Sequence, residues 1–431
     1  MKKLSLSYRS LIFFSIPSIL TSLVEVFASG IDTALVGHLS TKALAALAVA
    51  STVFNSLTWV FNFLVNASLE AVAHYRGRED ERLISRQMRM SLILSLGIGI
   101  FATCLLYFGR SFWYELAGAQ ESFILELDSY FSIRSWGQWI SIFFLTLLSL
   151  FRGMGHVRAA FVMMALTTGL NALLSYVFIY HFHMGIAGAA WGTILSTALT
   201  TFMSLTWFLS RYRHLLIAPL KDLWGGEWLR MGLNSRDLFL RSLFLTFSFF
   251  LSTRIASMVG VTSLAAHQIL LQAWLFCAYV VDGIALSGTI IGAESFGRDD
   301  KRESRMMSEK LLHLAGVVGL FFTLFYLLFR SQFIALFTND IKVLDLVLKL
   351  WFLIIVSQVI NAAAFVYDGL LFGFNRFSYL RKHMILGVLI CFLPLTVFSY
   401  IYKDIAYMWW GMVLLNFYRA LTGFQEIKRL L

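Results

Sequence analysis

Gly77-Arg78-Glu79-Asp80 is answered 220 positions later by Gly297-Arg298-Asp299-Asp300, and the same shift carries Leu44-Ala45-Ala46 onto Leu264-Ala265-Ala266. Phe151-Arg152-Gly153 falls opposite Leu371-Phe372-Gly373, again 220 residues on. Three agreements at one offset, each at an equivalent loop or helix end, mark an internal duplication of half the chain.

The duplicated unit is built for hydrocarbon. Of the 431 residues, 59% are hydrophobic and only 14% charged, too few to give soluble domains of this size a wet surface. Apolar stretches long enough to cross ~30 Å as helix, about 20 residues each, recur along the chain. They lie near 10–37, 44–73, 87–109, 122–151, 157–181, 185–210, 237–260, 264–293, 308–330, 342–372, 379–402 and 405–426. The pattern predicts an all-α integral membrane protein of about twelve transmembrane helices in two pseudo-symmetric six-helix lobes. A transmembrane β-barrel would instead show alternating segments of about ten residues. Several stretches exceed the bilayer thickness and require tilt, kinking or extension into water. The first is too long and too polar inside for a cleaved signal peptide and reads as a retained helix.

Basic loops are retained on the cytoplasmic side. The Lys2, Lys3 and Arg9 terminus, Arg76 to Arg89, Arg152 with Arg158, Arg211 to Arg236, Arg298 to Lys310, Arg376 to Lys382, and Lys428 with Arg429 fall on one face. The opposite loops hold little beyond Lys42, Arg110, Arg330, Lys342 and Lys403. Both termini are therefore expected in the cytoplasm, with the chain in the inner, cytoplasmic membrane. Residues 1–210 form the first lobe, 211–236 a basic linker with Pro219 and Gly225-Gly226, and 237–431 the second lobe. A six-helix unit returns the chain to its starting side, so its copy enters the membrane in the same direction. A cavity is expected between the lobes, as in an alternating-access carrier.

Other classes lack support. Cys104, Cys277 and Cys391 sit singly in apolar runs, without metal or redox spacing. The formal charge of +11 is spread over short loops rather than gathered for nucleic acid. There is no phosphate loop, no HExxH and no GxSxG, so neither an ATP-driven pump nor an enzyme is expected. No metal or cofactor is expected beyond a coupling ion, H+ or Na+, and His181 with His183 reads as structural. The partners are membrane lipids and a small-molecule substrate, and no extended helix-dimer motif argues against a monomer.

Ionisable groups inside the spans cost several kcal/mol unless they face a cavity or a partner. Asp32, after Gly30 in the outer half of the first helix, shares a face with Glu25 two turns earlier. In a partly dry site it could gain and lose a proton near physiological pH, or serve as a structural carboxyl bonded to a neighbour. Asn55, Thr58, Asn62 and Asn66 stripe the second helix; Thr168, Asn171 and Ser175 stripe the fifth. Such stripes either join helices or line a pathway. In the second lobe Gln268, Gln272, Tyr279 and Asp282 share a face, as do Gln358, Asn361 and Asp368. Arg254 needs a counter-charge, for which Asp282, Asp368 and Asp32 are candidates.

The run Gly30-Ile31-Asp32-Thr33-Ala34-Leu35-Val36-Gly37-His38-Leu39, followed by Ala43-Leu44-Ala45-Ala46, resembles the first-helix signature of the multidrug and toxic compound extrusion (MATE) family, in its DinF-like branch. Phe151-Arg152-Gly153-Met154-Gly155, Gly185-Ile186-Ala187-Gly188-Ala189-Ala190, Leu264-Ala265-Ala266-His267-Gln268-Ile269 and Asp368-Gly369 are similar to further landmarks. The resemblance implies an antiporter that exports organic cations or amphipathic compounds against inward proton or sodium flow. It also implies that Asp32 is the ion-coupling site with Asn171 beside it. Ser175 stands where many relatives carry a second acid, and Thr289 where a glutamate is frequent, so protons are expected rather than sodium unless Glu25 supplies the missing charge. The alternatives are sodium coupling, organic-acid export supported by Arg254, and flipping of a lipid-linked sugar. The last calls for a more cationic cavity than Asp32, Glu25, Asp282 and Asp368 provide against Arg254 and Arg134.

Overall fold

A computed structural model describes residues 7–117, 119, 121–216, 227–337 and 340–431, without the side chains of 25–30, 41, 59, 227, 228, 230, 231 and 261. Helices run in the order α1 (Tyr8–Gly37), α2 (Thr41–Gly77), α3 (Glu81–Phe108), α4 (Arg110–Leu116), α5 (Ile124–Trp136), α6 (Gln138–Gly153), α7 (Val157–Tyr176) and α8 (Ile186–Leu216). They continue as α9 (Glu227–Val259), α10 (Val261–Gly297), α11 (Lys301–Leu328), α12 (Arg330–Ala335), α13 (Ile341–Gly373), α14 (Phe377–Gly387), α15 (Leu393–Tyr402) and α16 (Ile405–Leu430). Nine described helices are individually long and apolar enough to cross a membrane, and the shorter apolar helices Tyr8–Val24 and Gln138–Gly153 add to them. The short α4 and α12 aside, the elements make twelve crossings in two six-helix lobes, as the hydropathy predicts.

Three predicted spans are not single α-helices. The fifth passes from α7 into a π-helical turn, Val177–His181. The fourth breaks at Gly137 between α5 and α6, where a Cβ would meet Ile194 Cγ1 at 2.4 Å, so a glycine is needed for the junction to lie against α8. The eleventh contains a π-helical turn, Val388–Phe392, between α14 and α15, and Pro394 opens α15, where its missing N–H costs least. The third starts six residues before the predicted 87, at Glu81, because hydropathy marks the part in hydrocarbon whereas caps mark the ends.

The duplication persists in the backbone. Glu79 and Asp299 both adopt φ 56°, and the following Asp80 and Asp300 cap α3 and α11 by accepting from Leu83 N at 3.0 Å and Glu303 N at 2.9 Å. Gly155 pairs with Asn375, and His183 with Lys403, as further left-handed residues one repeat apart. Outside glycine this conformation is uncommon, so its recurrence at matched positions is a copied turn rather than coincidence.

By contacts the chain forms two compact units, Leu20–Ser235 and Met1–Ile19 with Arg236–Leu431. The first nineteen residues thus group with the second half, whereas the sequence division put them in 1–210. In the unit containing Arg236–Leu431, Tyr8 bonds His313 Nδ1 at 2.9 Å. There α10 and α13 pack backbone to backbone: a Cβ on Gly369 would lie 2.3 Å from Ala285 O, and one on Gly373 2.7 Å from Thr289 O. Thr289 donates its hydroxyl to Gly369 O at 2.9 Å across the same seam. Small residues four apart permit this approach between apolar helices. Around the seam Tyr326 donates to Ala273 O at 2.7 Å and Trp351 Nε1 to Tyr326 O at 2.9 Å, so the large buried aromatics leave these polar atoms satisfied.

The exterior is apolar: Phe101 on α3, Phe202 on α8, Phe250 on α9 and Phe321 on α11 are all exposed, as a lipid solvent requires. Hydroxyls inside the helices bond back to their own turn, as Thr146 does to Ile142 O and Ser248 to Phe244 O. Gly369→Ala is expected to force α10 and α13 apart at a cost of about 1–3 kcal/mol. In detergent its thermal midpoint should fall by roughly 3 °C or more. Gly97→Ala, whose Cβ would meet nothing within 4 Å, should leave the midpoint unchanged or higher.

Candidate functional site

In the unit Leu20–Ser235, three helices converge on one carboxylate. Asn171 on α7 donates Nδ2 to both oxygens of Asp32 on α1, at 3.0 and 3.1 Å. The orientation of that amide is set from behind. Its Oδ1 accepts from Ser175 Oγ at 3.1 Å and Thr193 Oγ1 at 3.3 Å, so its N–H groups point to Asp32. Gly192 makes the arrangement possible, because a Cβ there would meet Ser175 Oγ at 2.3 Å and hold α8 away from α7.

Asp32 is half-buried, and among the described residues no basic side chain reaches ion-pair distance of it. Positive charge nevertheless acts on it from Arg134 on α5, whose guanidinium lies 5.0 Å over the Phe54 ring and donates to Gln138 Oε1 at 3.4 Å. Arg134, noted in the sequence only as an in-span charge, and Thr193, which was not singled out, both belong to this cluster. Thr193 begins a polar stripe with Ser196, Thr197 and Thr200, a signal that spacing on α8 offered. The Glu25 side chain lies outside the described residues. Ser175 is fully buried, so what it touches is Asn171. Asn55 and Asn62 are exposed on α2.

A second charged cluster lies in the unit containing Arg236–Leu431. Asp368 on α13 is buried and receives Arg241 Nη2 from α9 and Arg419 Nη2 from α16, each 2.5 Å from Oδ2. Arg419 Nη1 also donates to Asn416 Oδ1 at 2.6 Å; Asn416 donates to Asn361 Oδ1 at 3.0 Å, and Asn361 to Ser357 Oγ at 3.3 Å. Gln358 is buried and donates to Ile354 O of its own helix at 2.6 Å. Asp368 is therefore not the partner that Arg254 was expected to find: Arg254 is exposed, and among the described residues no carboxylate pairs with it. Arg241 and Arg419 win Asp368 because α9 and α16 carry them, buried, to the level of Asp368. Their signal in the sequence was an arginine within an apolar run, Arg419 alone in the last run and Arg241 thirteen residues before Arg254 in the seventh.

On α10, Gln268, Gln272 and Asp282 are exposed and Tyr279 is half-buried. Asp282 stands one turn before Ala285, which touches Gly369 beside Asp368, so its charge is felt by both arginines. Among the described residues no group of three or more His, Cys, Asp or Glu side chains could hold a metal ion.

Comparison with known proteins agrees with this architecture. The MatE family model matches residues 17–177 and again 238–398, one match per repeat. Protein DETOXIFICATION 44, chloroplastic, of Arabidopsis thaliana is 27% identical over 421 residues, covering 95% of this chain and 80% of its own. DNA damage-inducible protein F of Escherichia coli K12 is 24% identical over 88% of this chain and 84% of its own. Among solved structures, a MOP superfamily transporter from Pyrococcus furiosus, described as having a binding pocket of reverse polarity, superposes with a TM-score of 0.89. It is 21% identical and covers 100% of this chain and 98% of its own. An outward-facing multidrug resistance MATE family transporter gives the same TM-score, 0.89, at 23% identity and the same coverage. With both halves of the chain matched and the whole fold shared, this multi-pass membrane protein belongs to the MatE family of transporters.

Proposed function

We propose that the chain is a secondary active exporter of organic cations or amphipathic molecules, driven by inward proton flow through Asp32. The observation that carries this reading is the Asp32–Asn171 pair. A half-buried carboxylate held by a neutral amide, with no guanidinium bonded to it among the described residues, keeps room to bind and release a proton. The contrast with Asp368, clamped by two arginines, favours Asp32 as the exchanging group.

The amide's orientation favours protons over sodium. A hard cation takes oxygen ligands, but Asn171 offers N–H groups to the carboxylate and turns its oxygen toward Ser175 and Thr193. Ser175 in place of an acid removes another potential anionic ligand. The cycle we infer is alternating access: a proton arriving from outside neutralises Asp32 and frees the substrate, and its loss inward restores a charge that attracts the next cation. No bond of the substrate is made or broken. The loop charges support both termini in the cytoplasm, the repeat supports lobes 1–210 and 237–431 joined by 211–236, and nothing in the helices calls for more than a monomer.

The test is flux of a fluorescent organic cation in proteoliposomes under a proton gradient and, separately, a sodium gradient. Proton-driven flux should appear in the wild type and fall to background in Asp32→Asn. Flux that follows sodium, or survives in Asp32→Asn, would overturn the assignment. Asn171→Ala removes two hydrogen bonds to a charged group, worth about 1.5–3 kcal/mol, and should lower flux roughly ten- to a hundredfold. Thr193→Val removes a hydroxyl whose one hydrogen is shared between Asn171 Oδ1 at 3.3 Å and Ala189 O at 3.0 Å, and should cost less than about tenfold.

A further inference from the structure

The start of α7 and the end of α8 form one basic corner. Thr167 Oγ1 donates to Thr200 Oγ1 at 2.8 Å between the two helices, and at their ends His156 Nε2 and the Tyr212 hydroxyl are hydrogen-bonded at 2.6 Å. That bond brings Arg158, just after His156 in the chain, beside Arg211 and Arg213, which flank Tyr212. The Arg211 guanidinium lies 4.9 Å over the Trp207 ring, and Trp207 meets the His156 ring edge-on at 5.2 Å. Arg76 reaches the same turn, since a Cβ on Gly155 would lie 2.3 Å from its Nη1. Arg158, Arg211 and Arg213 are exposed, and among the described residues none of them has a carboxylate at ion-pair distance.

The second repeat answers the same corner with acids. There α14 and α16 stand for α7 and α8, and the buried Glu426 pairs with Arg376 at 3.5 Å and Arg429 at 3.7 Å. Asp237, also buried, takes Arg381 of α14 at 2.6 Å. One repeat back from Glu426 and Asp237 stand Thr206 and Pro17, so the first half lacks both acids. Exposed charge alone is satisfied by water; what points to a lipid is where this charge sits. Arg158, Val162 and Leu166 follow four residues apart along one exposed face of α7, and Leu199, Phe202 and Met203 are exposed on α8 before Arg211 and Arg213. Both apolar strips end in arginine, with Trp207 at the boundary, a residue type that favours the headgroup level of a bilayer. Arginine's planar fork takes a phosphate through two parallel hydrogen bonds.

We propose that Arg158, Arg211 and Arg213 bind the phosphate headgroup of an anionic membrane lipid, whose chains lie along the apolar strips of α7 and α8. The lipid supplies from outside the chain the negative charge that Glu426 supplies within it at the second-half corner. It grips the two helices that carry Asn171 and Thr193. Its binding depends neither on Asp32 nor on the substrate, so it can fail while Asp32-dependent flux persists, and the reverse.

The experiment is native mass spectrometry of the purified full chain in detergent, with phosphatidylglycerol and phosphatidylcholine of the same acyl chains added in equal amounts. Wild type should retain phosphatidylglycerol over phosphatidylcholine by roughly tenfold or more. Each arginine removed should cost about fivefold, so Arg158→Gln/Arg211→Gln/Arg213→Gln should lose the preference. Its thermal midpoint should hold, because all three side chains are exposed. Lys301→Gln/Arg302→Gln/Arg305→Gln removes the same formal charge from exposed positions on α11 and should keep the preference. Glycerol phosphate, the headgroup chemistry without chains, should not displace the lipid. Were the triple variant not to fold, Arg158→Gln and Arg213→Gln singly carry the same comparison, at about fivefold each. The proposal is overturned if wild type retains the two lipids alike, or if folded variants of the α7 and α8 arginines keep the preference. It is also overturned if the α11 variant loses the preference equally, which is general charge attraction, or if glycerol phosphate at equal concentration displaces the lipid, which is a site for soluble phosphates.

Discussion

Hydrocarbon offers no hydrogen bonds, so every polar atom taken into it must be satisfied by the chain itself. That constraint makes every crossing helical and turns serine and threonine hydroxyls back on their own helix, as in Thr146 and Ser248. It also obliges buried charges to find one another. Asp368 with Arg241 and Arg419, and Asp32 with Asn171, are two solutions to the same problem, and their chemical difference follows from the partner chosen. An amide satisfies a carboxylate without neutralising it; a guanidinium does both.

The two clusters are not copies of each other, although the backbone that carries them is. One repeat on from Asp32, Asn171 and Thr193 stand Ser252, Cys391 and Val413; one repeat back from Arg241, Asp368 and Arg419 stand Thr21, Leu148 and Leu199. Turns and caps, fixed by backbone geometry, have kept their matched residues at Asp80 and Asp300. The charged groups have diverged, which leaves a carboxylate held by an amide in one half and an arginine-rich cluster in the other. Close helix contacts accompany each cluster: Gly192 brings α8 to Ser175 behind Asn171, and Gly369 brings α13 to α10 beside Asp368.

Helix interruptions within the crossings coincide with specific local chemistry. Gly137 breaks the fourth crossing next to Arg134, and the π turn before Pro394 lies in the eleventh. Neither is visible to hydropathy, which averages over a window longer than the break.

Composition and the 220-residue repeat determined by themselves that this is a twelve-helix membrane protein of two equivalent halves, because burial in hydrocarbon acts on every residue and leaves its mark along the whole sequence. A lone acid between Gly30 and Gly37 was enough to single out Asp32, since an in-span charge is rare whatever surrounds it. Pairing was a different matter. That Asp368 belongs to Arg241 and Arg419 rather than Arg254, that Thr193 orients Asn171, and that Arg134 bears on Asp32 each depend on residues 22 to 139 positions apart meeting across packed helices. Helical periodicity gives the face a side chain shares with its own neighbours but not which helix that face meets, so only the tertiary structure decided these contacts.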